Sequence, residues 1–109
     1  MIHITNKLVR DKIPEIIESK GGTAACRILS DEEFRAELIK KMHEETTEFE
    51  NDNTLEELGD MYSVLFELAH SAGYTISDVM RESERKRMQN GGFSKKIFME
   101  SYNERGILR

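Results

Sequence analysis

The sequence predicts a single all-α domain, a bundle of four helices joined by short connections. Two observations predict it: apolar residues recur at helical spacing through most of the chain, and glycines or polar clusters end each periodic stretch. With 109 residues, the chain can form one modest core over residues 1–109. Chains of this size often gain further burial by association, so we expect a homo-oligomer, either a dimer or a tetramer.

The first helix is expected from about Asp11 to Lys20. Asp11 is suited to cap it, and the chain's single proline, Pro14, is tolerated in a first helical turn. Two glycines at positions 21–22 are a strong stop signal. Residues 23–29 have no helical period, so we expect them to be irregular or extended.

The second helix is expected to begin after Ser30 and to reach about Glu50. Ser30 and Glu33 have the spacing of a capping box, in which each side chain bonds to the other residue's backbone N–H. The polar run at residues 51–53 is a turn signal. A tight turn would make the second and third helices an antiparallel hairpin.

The third helix is expected from Thr54, which forms a second capping-box pattern with Glu57, to about Ala72, before Gly73. A fourth helix, capped by Ser77, should reach Asn90. The two glycines that follow end it, and the segment after residue 91 has no clear period. We expect that tail to be irregular.

Glu45 lies in the middle of the apolar face of the second helix. An acid in such a place is costly unless it is paired or coordinated, so its position needs an explanation. Glu48 lies just beside the same face. The residues that form this face are Phe34, Leu38, Met42 and Phe49.

The third helix is apolar on two faces, which is typical of a helix at the centre of a bundle or between subunits. Glu57 continues one of these faces, and Asp60 flanks it. That face carries Met61, Val64 and Leu68, and the opposite face carries Leu55, Leu58, Tyr62, Leu65, Phe66 and Ala69.

An antiparallel hairpin would bring four carboxylates together: Glu45 and Glu48 from one helix, and Glu57 and Asp60 from the next. Ten acidic residues and no Lys or Arg lie between positions 42 and 80. Such a cluster repels itself unless a cation sits in it. Separate structural roles remain an alternative, since Glu57 also fits a cap and Glu48 a solvated helix end.

Carboxylate ligands without His or Cys favour hard divalent ions, so Mg²⁺ is expected and Mn²⁺ is the alternative. A di-iron site would need two Glu-x-x-His pairs. The chain has one such pair, Glu67 with His70, and it points away from the acid cluster. The remaining histidines have no metal-ligand spacing.

Charge is segregated along the chain. The formal net charge of −5 argues against binding to nucleic-acid polymers or acidic membranes. Basic groups on either side of the acidic stretch would suit a metal-chelated polyphosphate, although solvated helix faces are the alternative reading. These bases are Lys7, Arg10 and Lys12 before it, and Arg81, Arg85, Lys86, Arg87, Lys95 and Lys96 after it.

The compartment expected for the chain is the cytoplasm. The lone Cys26 cannot form an internal disulfide. No apolar run approaches the ~20 residues of a membrane span, and the first ten residues lack the apolar core of a signal peptide.

The acidic residues resemble a known signature. Glu44-Glu45-x-x-Glu48 followed by Glu57-x-x-Asp60 is similar to the metal-binding motif of the MazG-type all-α nucleotide pyrophosphohydrolases. That superfamily includes phosphoribosyl-ATP pyrophosphohydrolase and dimeric dUTPases. Two further segments resemble its small house-cleaning branch: Lys7-Leu8-Val9-Arg10-Asp11-Lys12-Ile13-Pro14, and Gly91-Gly92-Phe93 with residues 95–98.

The resemblance implies a MazG-like bundle, assembled as a dimer or tetramer, that hydrolyses a nucleoside triphosphate to the monophosphate and pyrophosphate with Mg²⁺. It implies that aberrant nucleotides are the substrates. The chain departs from the pattern at Asn90, where an Arg would be expected, and its hairpin is shorter than in many relatives. The residues carried over are the metal ligands Glu45, Glu48, Glu57 and Asp60, of which Glu45 and Glu48 would be catalytic, and the phosphate-binding Lys7, Arg10, Lys12, Arg85 and Lys95.

Two other functions fit the same residues. The chain would be a non-catalytic helical oligomer that binds a nucleotide or a protein partner if its acids serve only as caps and surface charge. It would be a metal-binding fold without activity if Mg²⁺ binds and no nucleotide is hydrolysed.

Overall fold

The computed structural model describes residues 1–103, and all regular structure in that range is helical. The all-α prediction is therefore confirmed. The irregular segments expected at 23–29 and after 91 are confirmed as far as residue 103, and the rest of the tail lies outside the described residues. The helices are α1 Ile13–Ser19, α2 Asp31–Asp52, α3 Leu55–Ser71 and α4 Ile76–Asn90.

The start of α2 is the predicted capping box. The Ser30 hydroxyl accepts a hydrogen bond from the Glu33 backbone N–H at 3.2 Å, and the Glu33 carboxylate accepts one from the Ser30 backbone N–H, also at 3.2 Å. Arg27 adds an ion pair to Glu33 at 3.0 Å. The sequence alone therefore places this helix start correctly.

The caps predicted for α1 and α4 are wrong. Lys12, with no side-chain bond, precedes α1 in place of Asp11. Thr75 caps α4 in place of Ser77, because an acid stands three residues after Thr75: Asp78 closes a complete capping box with it. Ser77 has no acid at that spacing, so the pair with both partners sets the start of α4.

A tight connection joins α2 to α3 as an antiparallel hairpin. α2 continues through Asp52, two residues beyond its predicted end, so only Asn53 and Thr54 lie between the helices. Asn53 adopts a left-handed conformation with φ of 54°, which asparagine tolerates better than most residues. At the other end of the hairpin, the Arg35 guanidinium bonds to the carbonyl of Ser71.

The core lies between α2 and α3 and is small. Leu38 is 2% exposed, and Val64 and Ala69 are the other buried apolar residues of the described chain. Met61 and Leu68, which share the inner face of α3 with Val64, are half-buried. The predicted two-sided character of α3 is visible, since this face packs and the opposite face is largely exposed.

The four helices do not close into a bundle within the described part of one chain. α3 packs against α2 and, more lightly, against α4, while α1 packs against no other helix. The chain extends over 62 × 31 × 22 Å. None of the helices within residues 1–103 combines the length and the apolar character needed to cross a membrane.

Candidate metal centre

The hairpin brings three of the four predicted ligands into one group. Carboxylate oxygens of Glu45, Glu57 and Asp60 lie within 4.8 Å of one another. Glu45 is only 7% exposed, and the other two are half-buried. Glu45, on the apolar face of α2, is therefore buried as expected, and its carboxylate lies beside the acids of α3.

Glu48 lies in a second, more exposed group. Its carboxylate is within 4.8 Å of those of Asp52 and Glu57, and Glu57 belongs to both groups. The four predicted ligands are thus divided between two adjacent groups, which share Glu57. Sequence reasoning missed Asp52 by assigning it to a turn, although its four-residue spacing from Glu48 places both on one face of a continued helix.

The Glu57 side chain does not complete the capping box predicted at the start of α3. The Thr54 hydroxyl accepts a hydrogen bond from the Glu57 backbone N–H at 3.3 Å, but the Glu57 carboxylate accepts none from the Thr54 backbone N–H. The caps of α2 and α4 have both bonds. The predicted second capping box is therefore only half formed, and the Glu57 carboxylate lies with the other acids instead.

The electrostatics of the group are unfavourable to Glu57. Desolvation, followed by repulsion from Asp60, Glu45, Glu48 and Asp52, raises the pKa of the Glu57 carboxyl above its ordinary value. A divalent cation within the group would offset both effects.

Cations from outside the acidic stretch reach the acids. Arg10 pairs with Asp60 at 2.7 Å and donates to the Ser63 hydroxyl at 3.2 Å. Lys41, one turn before Glu45 on α2, lies 3.7 Å from its carboxylate. Although no Lys or Arg lies between residues 42 and 80, Arg10 and Lys41 therefore supply positive charge to the acids.

The predicted phosphate-binding residues are divided by the structure. Lys7 pairs with Glu44 at 3.4 Å and, like Arg10, lies beside the acids. Lys12 is exposed at the start of α1 and pairs with none of the acids. Of the predicted phosphate-binding residues, Arg10 alone lines the groove of about 560 Å³ that residues 8–11, Ile13, α2 and α3 form beside the acids.

The other two predicted phosphate-binding residues are not brought to the acids within one chain. Arg85 bonds to Glu82 and Gln89 on its own helix. Lys95 is exposed in the turn after α4. The groove beside the acids is lined by no described residue after α3.

The donor set fits a hard divalent ion. Both groups contain carboxylates alone, which suits Mg²⁺ or Mn²⁺ rather than Zn²⁺. Neither Glu67 nor His70 belongs to them, and the His70 ring packs against Phe66 with centroids 4.6 Å apart. The di-iron alternative therefore has no second pair of ligands among the described residues.

Comparison with known proteins adds one partial relative. A protein of Mycolicibacterium smegmatis, described as uncharacterized, is 46% identical over 48 residues, which are 44% of this chain and 49% of that protein. The chain thus matches about half the length of this curated relative. No family model matches the chain, and no solved structure matches it.

Proposed function

We propose that this chain is a Mg²⁺-dependent nucleoside triphosphate pyrophosphohydrolase of the MazG type that clears aberrant nucleotides in the cytoplasm. The observation that carries the proposal is the position of Glu57. Its carboxylate makes no capping hydrogen bond and belongs to both acid groups, beside the buried Glu45. A chain whose acids were only caps and surface charge would gain nothing from this arrangement.

The reaction breaks the bond between the α- and β-phosphates, so that water adds to the α-phosphorus and pyrophosphate leaves. A bound Mg²⁺ neutralises phosphate charge and lowers the pKa of a coordinated water. Glu45, Glu57 and Asp60 would hold the ion. Glu48, exposed beside them, would orient the attacking water and accept its proton.

The flanking bases support the same substrate class. Arg10 lines the groove beside the acids, and Lys7 pairs with Glu44, the neighbour of Glu45, so both would reach phosphate oxygens of a ligand there. The motif resemblance described above points to the same reaction. The expected ligand is therefore a nucleotide rather than a nucleic-acid polymer or a membrane.

Substitution of the acids tests the proposal. Glu45→Gln and Asp60→Asn should each reduce pyrophosphate release from a panel of common and modified nucleoside triphosphates by at least about 100-fold, since each removes a metal ligand. Glu56→Gln is the matched control. Glu56 is an exposed acid on α3, next to Glu57, and belongs to neither acid group.

Circular dichroism should show unchanged helicity in all three variants. Pyrophosphate release at the native rate by Glu45→Gln would contradict the proposal.

A non-catalytic oligomer is the second candidate, because the exposed apolar face of α3 is suited to association whether or not the acids are catalytic. Calorimetry with Mg²⁺ separates the two, because the absence of heat and of a thermal shift would favour the non-catalytic oligomer. Mg²⁺ binding without hydrolysis of any nucleotide would indicate a fold that has lost its activity.

We also propose that a second copy of the chain covers the outer face of α3. A folded monomer of 12.6 kDa is expected to expose about 6,200 Å², whereas this chain exposes 10167 Å². An obligate dimer interface buries about 2,000–5,000 Å² in total, or about half of that from each chain, so a second copy would remove part of this excess. Exposed apolar residues along the outer face are Leu55, Leu58, Tyr62 and Leu65.

A further inference from the structure

The N-terminal segment, residues 7–13, contacts the α2–α3 hairpin through some of its side chains, although most of its residues are exposed. Leu8 and Ile13 are half-buried and line the groove beside the acids. Between them, Arg10 extends to Asp60 at 2.7 Å and to the Ser63 hydroxyl at 3.2 Å. The segment therefore holds a guanidinium at the edge of the candidate metal centre.

Arg10 and a metal ion would use the same carboxylate. Asp60 is the ion-pair partner of Arg10 and a member of the acid group formed with Glu45 and Glu57. A guanidinium and a divalent cation repel each other, so each lowers the affinity of this group for the other. Ser63, one turn after Asp60, is a second and uncharged partner for Arg10.

We propose that Arg10 is an exchangeable counter-cation of the acid group. Without a divalent ion it pairs with Asp60; when the ion binds, the guanidinium leaves Asp60 and becomes available to a phosphate of the ligand. This inference rests on the proposed function. It makes binding of the ion and binding of the anionic ligand cooperative, because the first frees a donor for the second.

The alternative is that Arg10 stays paired with Asp60 and positions its carboxylate for the metal. The two roles predict opposite effects of removing the charge. Loss of a competing cation strengthens ion binding, whereas loss of a positioning residue weakens it, because Asp60 is then no longer held in place.

Mn²⁺ affinity, measured without nucleotide by the electron paramagnetic resonance signal of the free ion, tests the inference. Arg10→Gln should bind Mn²⁺ about three- to tenfold more tightly than the native chain at low salt, as expected for removing one nearby charge. Arg10→Lys, which keeps the charge, should remain within about twofold. Arg27→Gln is the matched control, because Arg27 pairs with Glu33 at 3.0 Å, away from the acid groups.

Release of the guanidinium has its own readout. In a nitrogen-15 spectrum of the arginine side chains, the Arg10 signal, identified by its absence in Arg10→Gln, should shift on addition of Mg²⁺. The Arg27 signal should not. An Arg10 signal that stays unshifted at saturating Mg²⁺ would contradict the exchange.

The outcomes separate this inference from the proposed function. Weaker Mn²⁺ binding by Arg10→Gln, or unchanged binding, would overturn the exchange and leave the metal centre in place. No Mn²⁺ binding by the native chain would overturn both.

Discussion

At the scale of single residues, Glu57 shows how one spacing can serve two purposes. Three residues after a Thr, a Glu is suited to a capping box; three residues before an Asp, it is suited to a metal site. The sequence leaves both open. In the structure the Glu57 backbone N–H donates to the Thr54 hydroxyl, but the Glu57 carboxylate does not accept from the Thr54 backbone N–H. The side-chain conformation of Glu57, which spacing does not determine, therefore makes the difference.

Glu57→Gln should raise the thermal midpoint of the chain at neutral pH without divalent ions. Repulsion and desolvation raise the pKa of the native Glu57 carboxyl, so the folded chain binds its proton more tightly than the unfolded chain does. Native stability therefore falls as pH rises from the ordinary value of a glutamate through the raised pKa. The variant lacks that fall, and the two should converge at lower pH.

Thermal denaturation over a pH series, with Glu56→Gln as control, measures this difference. Added Mg²⁺ should stabilise the native chain and should stabilise Glu57→Gln much less. A lower midpoint of Glu57→Gln at neutral pH without divalent ions would contradict the account of Glu57.

At the scale of secondary-structure elements, the helix starts depend on pairs of residues rather than on single polar ones. The complete boxes at α2 and α4 each have an acid three residues after a hydroxyl. Ser77 and Asp11 lack a partner at the required spacing or conformation. This is why the start of α2 could be predicted from the sequence, whereas the caps of α1 and α4 were assigned to the wrong residues.

Glu33→Gln should destabilise the chain at neutral pH and lose this effect in acid. Bonds from Arg27 and from the Ser30 backbone lower the pKa of the Glu33 carboxyl to about 2. A carboxyl group whose pKa is lower in the folded chain than in the unfolded chain stabilises the fold at pH values above the ordinary pKa of a glutamate. That contribution is lost as pH falls through about 2.

Chemical denaturation at several pH values measures the difference between Glu33→Gln and the native chain. Glu32→Gln is the control, since Glu32 is exposed in the same helix turn and makes no capping bond. A difference that persists unchanged at pH 2 would show that the charge of Glu33 is not its source.

At the scale of the whole molecule, the sequence predicts the helices better than their arrangement. Helix content follows from local spacing, and the four helices were predicted within a few residues of their observed ends. Closure of a bundle depends on contacts between distant elements, and α4 contacts α3 alone. The same reason explains Arg85 and Lys95: the sequence shows that they are basic, but not that their segment lies away from the acids.

Leu65→Lys should weaken association, because it places a charge on the exposed apolar face of α3. Leu65 is 38% exposed in the single chain. Sedimentation at several concentrations should show an oligomer for the native chain and a smaller species for the variant. Thermal midpoints should rise with concentration only where association occurs.

Thr47→Lys, which adds the same charge at an exposed polar position of α2, should leave the sedimentation unchanged. A native chain that sediments as a monomer at all concentrations would contradict the proposed second copy.

The two-residue connection between α2 and α3 also bears on the order of folding. All five acids of the two groups, Asp52 included, lie between Glu45 and Asp60, so the contact that assembles them closes a very short loop. Short loops cost little entropy, and local contacts form fast. During synthesis, all five acids leave the ribosome before α4 and the tail, so the hairpin that assembles them can form before the rest of the chain is available.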